Sequence, residues 1–457
     1  MRCFGIVLVG VLSLLAPGAL LASGAHEDHE YEDEDHDLDE HQLEHEDHDE
    51  LGAHEPALRL DLGFDLLFAA GASTANDEEL EALMGGAHDP NKRGFTLQQA
   101  ELSLRASLLA GGANPFDIDA QAFLVMRDDV IELEEAFATF KHGEVSADAG
   151  LFLNHVGLSN AQHPHQWRWL DQSALVTRFF GSEGLASEGV RLRWREAGGN
   201  FGLEVGMQNA YSSRTASFGS GFGGHHHEGE EEAESTGVGG RPLIERPVHA
   251  LNDFLYSTRM FGGFEVGDGQ HFDASATLLY GPNATALDGR TIIAGLGLRY
   301  RMEDHASEHG VPLFSADFEA VYRHYHAGDG FEADDDPVAP GPGIFFPSES
   351  FKDFGASLDV SLRVAKAWSV GLRAEYLSGS SASSFDHEAE AFVDREDDPA
   401  RADRWRIASA LTWHFADDAR LVFQYSADSL DSLDDMPAHS FWIGMELFFG
   451  TGKHVHE

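Results

Sequence analysis

The sequence predicts an all-β fold, a transmembrane antiparallel β-barrel of about sixteen strands. Three observations carry that expectation. Apolar and polar residues alternate strictly over runs of about 9 to 13 residues, the length that crosses a bilayer at a tilt. The connections between runs alternate between short and long. An export-type N-terminus leads into a chain with no run of about 18 apolar residues, so no membrane-spanning helix is expected.

The totals agree. The chain has 457 residues, with 30 Lys plus Arg against 79 Asp plus Glu, a formal charge of −49. That sign excludes a protein that grips nucleic-acid phosphates. The 49 Gly and 32 Phe fall largely within alternating segments, as in barrels with aromatic girdles. Residues 1–25 read as a signal peptide: Arg2 is the positive start, 6–15 the apolar core, 19–25 the small residues for cleavage. The single cysteine, Cys3, lies within it, so no disulfide and no Cys-ligated zinc site is expected in the mature chain.

Residues 26–56 are almost wholly His, Asp and Glu and form an acidic, His-rich tail expected to be disordered on the periplasmic side. His26, His29, His41, His45 and His48 offer imidazoles suited, with carboxylates, to zinc, copper or nickel. Weak multivalent metal capture and a plain solvated tail are both open readings. No cofactor is required on either.

From residue 57 the period becomes two, and the barrel is expected over 57–449, with a short C-terminal tail at 450–457. Leu58, Leu60, Leu62, Phe64 and Leu66 alternate with Arg59, Asp61, Gly63 and Asp65. The same pattern gives strands near 57–69, 94–109, 115–127, 130–142, 144–153, 185–197, 200–210 and 251–266. It continues near 270–281, 290–302, 311–326, 351–364, 367–378, 403–415, 418–428 and 438–449. Short turns follow even-numbered strands, and long loops (70–93, 154–184, 211–250, 327–350, 379–402) follow odd-numbered ones. A bacterial outer-membrane barrel has this asymmetry, with short turns in the periplasm. One residue resists the pattern: Glu135, between Leu133 and Phe137, falls on the expected lipid face.

Residues 151–181 are too polar, and too broken by His163-Pro164-His165, to be a strand. By chain order this is the third external loop, expected to fold inward and narrow the bore. Asn154, His155, Asn160, His163, His165 and Asp171 would then meet the permeating solute, with His163 and His165 as metal ligands. Arg191, Arg193 and Arg195 alternate along one strand and present three guanidiniums to the lumen, facing acids such as Glu101, Glu134, Glu319, Asp359 and Glu375. His225, His226 and His227 in the fourth loop form a further metal-suited cluster, or a low-complexity tip. No GxSxG, HExxH or P-loop pattern occurs, so no enzymatic activity is expected.

The runs AELSLRASL, NPFDIDAQAFLV and IELEEAFATF, and the block G…N…H-x-H…D…FFG-x-EG, carry a resemblance. The block consists of Gly157, Asn160, His163, His165, Asp171, Phe179, Phe180, Gly181, Glu183 and Gly184. These segments resemble the porin O/P-like outer-membrane barrels, a family that includes members labelled zinc-regulated outer-membrane proteins. The resemblance implies a sixteen-stranded, trimeric barrel in the outer membrane of a Gram-negative bacterium. The third loop holds only Arg168 and Arg178, not a lysine-rich constriction, so phosphate selectivity transfers poorly. The expected function is a passive channel favouring divalent metal ions or their small complexes. A porin for small polar or anionic solutes, and a non-transporting metal-binding or adhesive barrel, remain the alternatives.

Overall fold

A computed structural model describes residues 58–109, 116–127, 130–222, 235–304, 311–332, 343–387, 389–433 and 437–450. The segment expected to be a signal peptide, the tail with His26, His29, His41, His45 and His48, and the loop histidines His225, His226 and His227 lie outside the described residues.

Sixteen strands pair antiparallel in chain order and close into one barrel. The first eight are β1 Leu58–Ser73, β2 Gly94–Leu108, β3 Asp117–Arg127, β4 Val130–His142, β5 Val145–Leu153, β6 Ala186–Arg195, β7 Phe201–Asn209 and β8 Phe254–Gly267. The others are β9 Gln270–Pro282, β10 Arg290–Met302, β11 Phe314–Ala327, β12 Glu349–Ala365, β13 Trp368–Gly379, β14 Arg404–Ala416, β15 Ala419–Leu430 and β16 Ala438–Gly450. Closure sets Gly63 opposite Gly450 and Ser73 opposite Ser440, so the barrel sheet itself has no open edge among the described residues. All sixteen expected strands are present. β1 runs on to Ser73, and β8 and β11 begin later than expected, at Phe254 and Phe314.

The outer face is apolar in the way only a lipid-facing surface can be. Leu192, Leu278, Leu372 and Ile407 stand exposed within their strands, and Leu60, near the start of β1, is 68% accessible. Aromatics ring the short-turn end, where Trp368 stacks on Trp413 at 5.6 Å and Phe264 meets Phe272 at 5.3 Å. A second set, with Phe95, Tyr280, Tyr322, Phe354, Tyr425 and Phe441, is exposed toward the long-loop end. Two such girdles mark the two water interfaces of a bilayer.

The inner face changes character along the barrel axis. At the long-loop end it is apolar: Leu255, Leu279, Ile293, Val321 and Leu377 point inward and pack with the third loop's Val156, Leu175, Phe179 and Phe180. A second cluster joins Leu80 and Leu83 of the first loop's short helix, α1 Asp77–Leu83, to Trp169, Leu170 and Trp442. At the short-turn end the inner face is charged.

Glu135 is not on the lipid face. The β3–β4 register slips between Phe123, opposite Glu135, and Leu124, opposite Leu133. The bulge absorbs one residue and reverses the alternation after it, so Glu134 and Glu135 are both buried inside, at 8% and 5% exposure.

Candidate functional site

The third loop crosses the barrel interior and is held from nearly every side. It contains a single 3-10 turn, Pro164–Gln166, and a seven-residue helix, α2 Ala174–Phe180, whose N-cap Ser173 accepts from the Leu175 amide. Gly181, with φ +86°, ends the helix, a conformation that favours glycine. Large loop side chains sit over inward-facing wall glycines. Leu158 covers Gly297, Trp169 covers Gly371, and Leu170 covers Gly444, where an added Cβ would fall 2.1 Å from Leu170 Cδ2. Gly157 (φ +67°) presses so closely on Glu319 of β11 that no side chain fits there.

Asp171 is the central anchor. It accepts hydrogen bonds from Arg373 Nη2 at 2.7 Å, from Gln424 Nε2 at 2.6 Å and from Arg406 Nη1. Three wall strands, β13, β14 and β15, therefore meet on one carboxylate. Burial alone would raise the Asp171 carboxyl, but Arg373 and Arg406 outweigh it and hold it below the usual range. Its neighbour Asp89 is pushed up to about 6 by burial and by Asp171, which outweigh Arg406 and the Gly86 and Gln172 amides that donate to it.

On the opposite wall the loop is held through His163. Its Nδ1 lies 2.9 Å from Glu134 Oε2 and 3.5 Å from Glu101 Oε2, and its Nε2 lies 2.8 Å from Glu135 Oε2. The ring is fully buried and packs on Phe123 at 4.3 Å. His165 stacks beside it at 5.6 Å, with its Nδ1 at 3.5 Å from Glu101 Oε1. His88, from the first loop, approaches Glu134 Oε1 at 3.8 Å. Burial would lower the His163 imidazole, but Glu134, Glu101 and Glu135 raise it well above the ordinary histidine range.

The six loop residues thus divide. Asn154 donates to Gln208, and Asn160 donates to the Asn154 carbonyl while accepting from the Leu185 amide; both are buried loop braces. His163 and His165 are enclosed with carboxylates rather than turned to a lumen. His155 and Asp171 border the main cavity, and His155 Nδ1 meets Glu204 at 2.9 Å.

That cavity is a vestibule of about 920 Å³ between the third loop and the short-turn end. Its wall carries Arg193, Arg195, Arg259, Arg299 and Arg301 beside Asp273, Asp317, Glu319 and Asp359. The arginine column is uneven. Arg191 is buried on Asp148 at 2.7 Å and lies behind the wall of the vestibule, Arg193 pairs with Glu204 at 3.1 Å, and Arg195 instead lies over Phe261 at 5.3 Å. Arg259 covers the same ring at 4.7 Å.

Sequence reading overlooked His88 and misplaced Glu135. The adjacent pair Glu134-Glu135 was the available signal, because two neighbouring acids cannot both face inward on a regular strand.

Fold and site define a class: a closed sixteen-stranded barrel of the outer-membrane porin fold, with its third loop folded inside. No family model matches the chain. The outer membrane channel DcaP of Acinetobacter baumannii superposes with a TM-score of 0.52 at 10% identity, over 86% of this chain and 97% of that one. The anion-selective porin of Comamonas acidovorans gives a TM-score of 0.48 at 10% identity, over 86% and 100%. OmpT of Vibrio cholerae, in its trimer form, gives 0.47 at 8%, over 86% and 100%. In sequence, an uncharacterized protein of Aquifex aeolicus (strain VF5) is 35% identical over 106 residues, 22% of this chain and 21% of that one. The chain therefore matches about a fifth of that relative's length.

Proposed function

We propose that this protein is a passive, porin-type channel of the Gram-negative outer membrane, narrow in bore, passing divalent metal ions such as zinc, copper or nickel, or their small complexes. It acts without a cofactor and without catalysis, as a homotrimer related to the porin O/P-like barrels, with its acidic tail in the periplasm. One observation carries the channel reading: a two-faced closed barrel encloses a charged vestibule of about 920 Å³ beneath an inward loop. A charged space of that size can hold small hydrated solutes.

The metal preference draws on residues 26–56 and on His225, His226 and His227, which would concentrate cations at the mouths. The mixed charge of the vestibule favours metals travelling with small anionic ligands over bare ions. A second reading, a porin for small anions, is favoured by Arg195 and Arg259. Both lie over Phe261, and no described carboxylate forms an ion pair with either.

Planar-bilayer recordings test these readings. A small steady conductance is expected, altered by millimolar zinc and shifted in reversal potential toward cations. An anion-directed reversal potential with no zinc effect would select the second reading. A folded barrel that carries no current at all would end both.

A further inference from the structure

We propose that Glu101, Glu134 and His163, completed by His165 or His88, form a resident first-row divalent metal site, with zinc the fitting ion, that clamps the third loop to β2 and β4. The donor atoms of the first three already lie within 4.8 Å of one another, and all three residues are buried. Tetrahedral zinc with bonds near 2.0–2.2 Å sets its ligands roughly 3.3–3.5 Å apart. His163 Nδ1 and Glu101 Oε2 are 3.5 Å apart as they stand, and His163 Nδ1 and Glu134 Oε2, at 2.9 Å, need open only slightly.

The outer shell is also in place. A metal-bound histidine usually donates its other ring N–H to a carboxylate, which fixes its tautomer. His163 Nε2 has that partner in Glu135 at 2.8 Å, and Glu135 is itself oriented by the Leu153 amide. Two observations independent of this geometry point to a missing ligand. Glu101 Oε1, in a residue only 1% exposed, makes no hydrogen bond beyond the 3.5 Å approach of His165 Nδ1. Three carboxylates, Glu101, Glu134 and Glu135, also converge on the one His163 ring, with His165 and His88 at the longer distances of 3.5 and 3.8 Å from Glu101 and Glu134. Buried charge of one sign calls for a counter-ion.

Burial separates this role from permeation. A transit site must exchange with water, whereas His163 is sealed. The inference therefore stands whether or not metals pass through the channel.

The test uses the full-length barrel, folded in detergent, loaded with zinc and dialysed against a chelator to strip accessible histidines. One zinc per chain should remain, and X-ray absorption should show oxygen donors with one or two imidazoles. The Glu101→Gln/Glu134→Gln double variant should retain none. Complete loss of zinc from the wild type, an imidazole-only shell, or equal retention by the double variant would overturn the site. If the double variant fails to fold, the wild-type count and spectrum decide alone. Bilayer current, read separately, reports on the channel and not on this site.

Discussion

Asp171 shows what a single buried side chain does for this barrel. Its carboxylate is the meeting point of Arg373, Arg406 and Gln424, and all four groups are out of water. Asp171→Asn keeps the shape but leaves Arg406 only Asp428 and Arg373 only Glu375 as close carboxylates, and weakening a buried network of this kind costs up to about 3–5 kcal/mol. Thermal unfolding in detergent should fall accordingly, and protease should reach the third loop first. The pH dependence has a definite sign. The folded pKa of Asp171 lies below the unfolded 3.8, so its stabilisation is complete above that value and is lost as pH falls through the folded one. Hydrogen exchange across residues 165–175 should stay slow at neutral pH and quicken only in strong acid. Asp89 runs the opposite way, with a folded value of about 6, and opposes docking as pH rises from 3.8 through 6.

At the scale of elements, the bulge in β4 and the docked loop explain each other. The bulge brings Glu134 and Glu135 to the same side, and His163 fills the space between them. Glu135→Leu separates the two placements of that residue. On a lipid face leucine would stabilise the strand, whereas inside it removes the acceptor of both His163 and the Leu153 amide. We expect a loss of about 1–3 kcal/mol in equilibrium unfolding. The loop's apolar side depends on the wall glycines. Gly444→Val would displace Leu170 from its seat, and the expected readout is a larger single-channel conductance as the loop loosens. An unchanged conductance would mean that the loop does not limit the bore.

The whole molecule is organised by two solvents, lipid outside and a partly filled, partly wet interior. Leu278, exposed at mid-strand in β9, and its inward neighbour Thr277 test this directly. Leu278→Arg should cost about 2–4 kcal/mol when the barrel refolds into vesicles, the penalty for arginine at the bilayer midplane. Thr277→Asn, inside, should cost far less.

Period-two alternation and loop length are local signals, and they place the sixteen strands to within four residues; the inward fold of the third loop was legible only from its place in the chain order. The sequence also marked His163, His165 and Asp171 as unusual for their place in a polar break. What surrounds them is set by the folded chain. Arg373, Arg406 and Gln424 reach Asp171 from more than 200 positions away, and His88 reaches Glu134 from another loop. Alternation tells which residues share a face but not which strand curls opposite which, nor where one extra residue reverses the faces. Contacts made by closing a cylinder leave no trace in the spacing of residues along it.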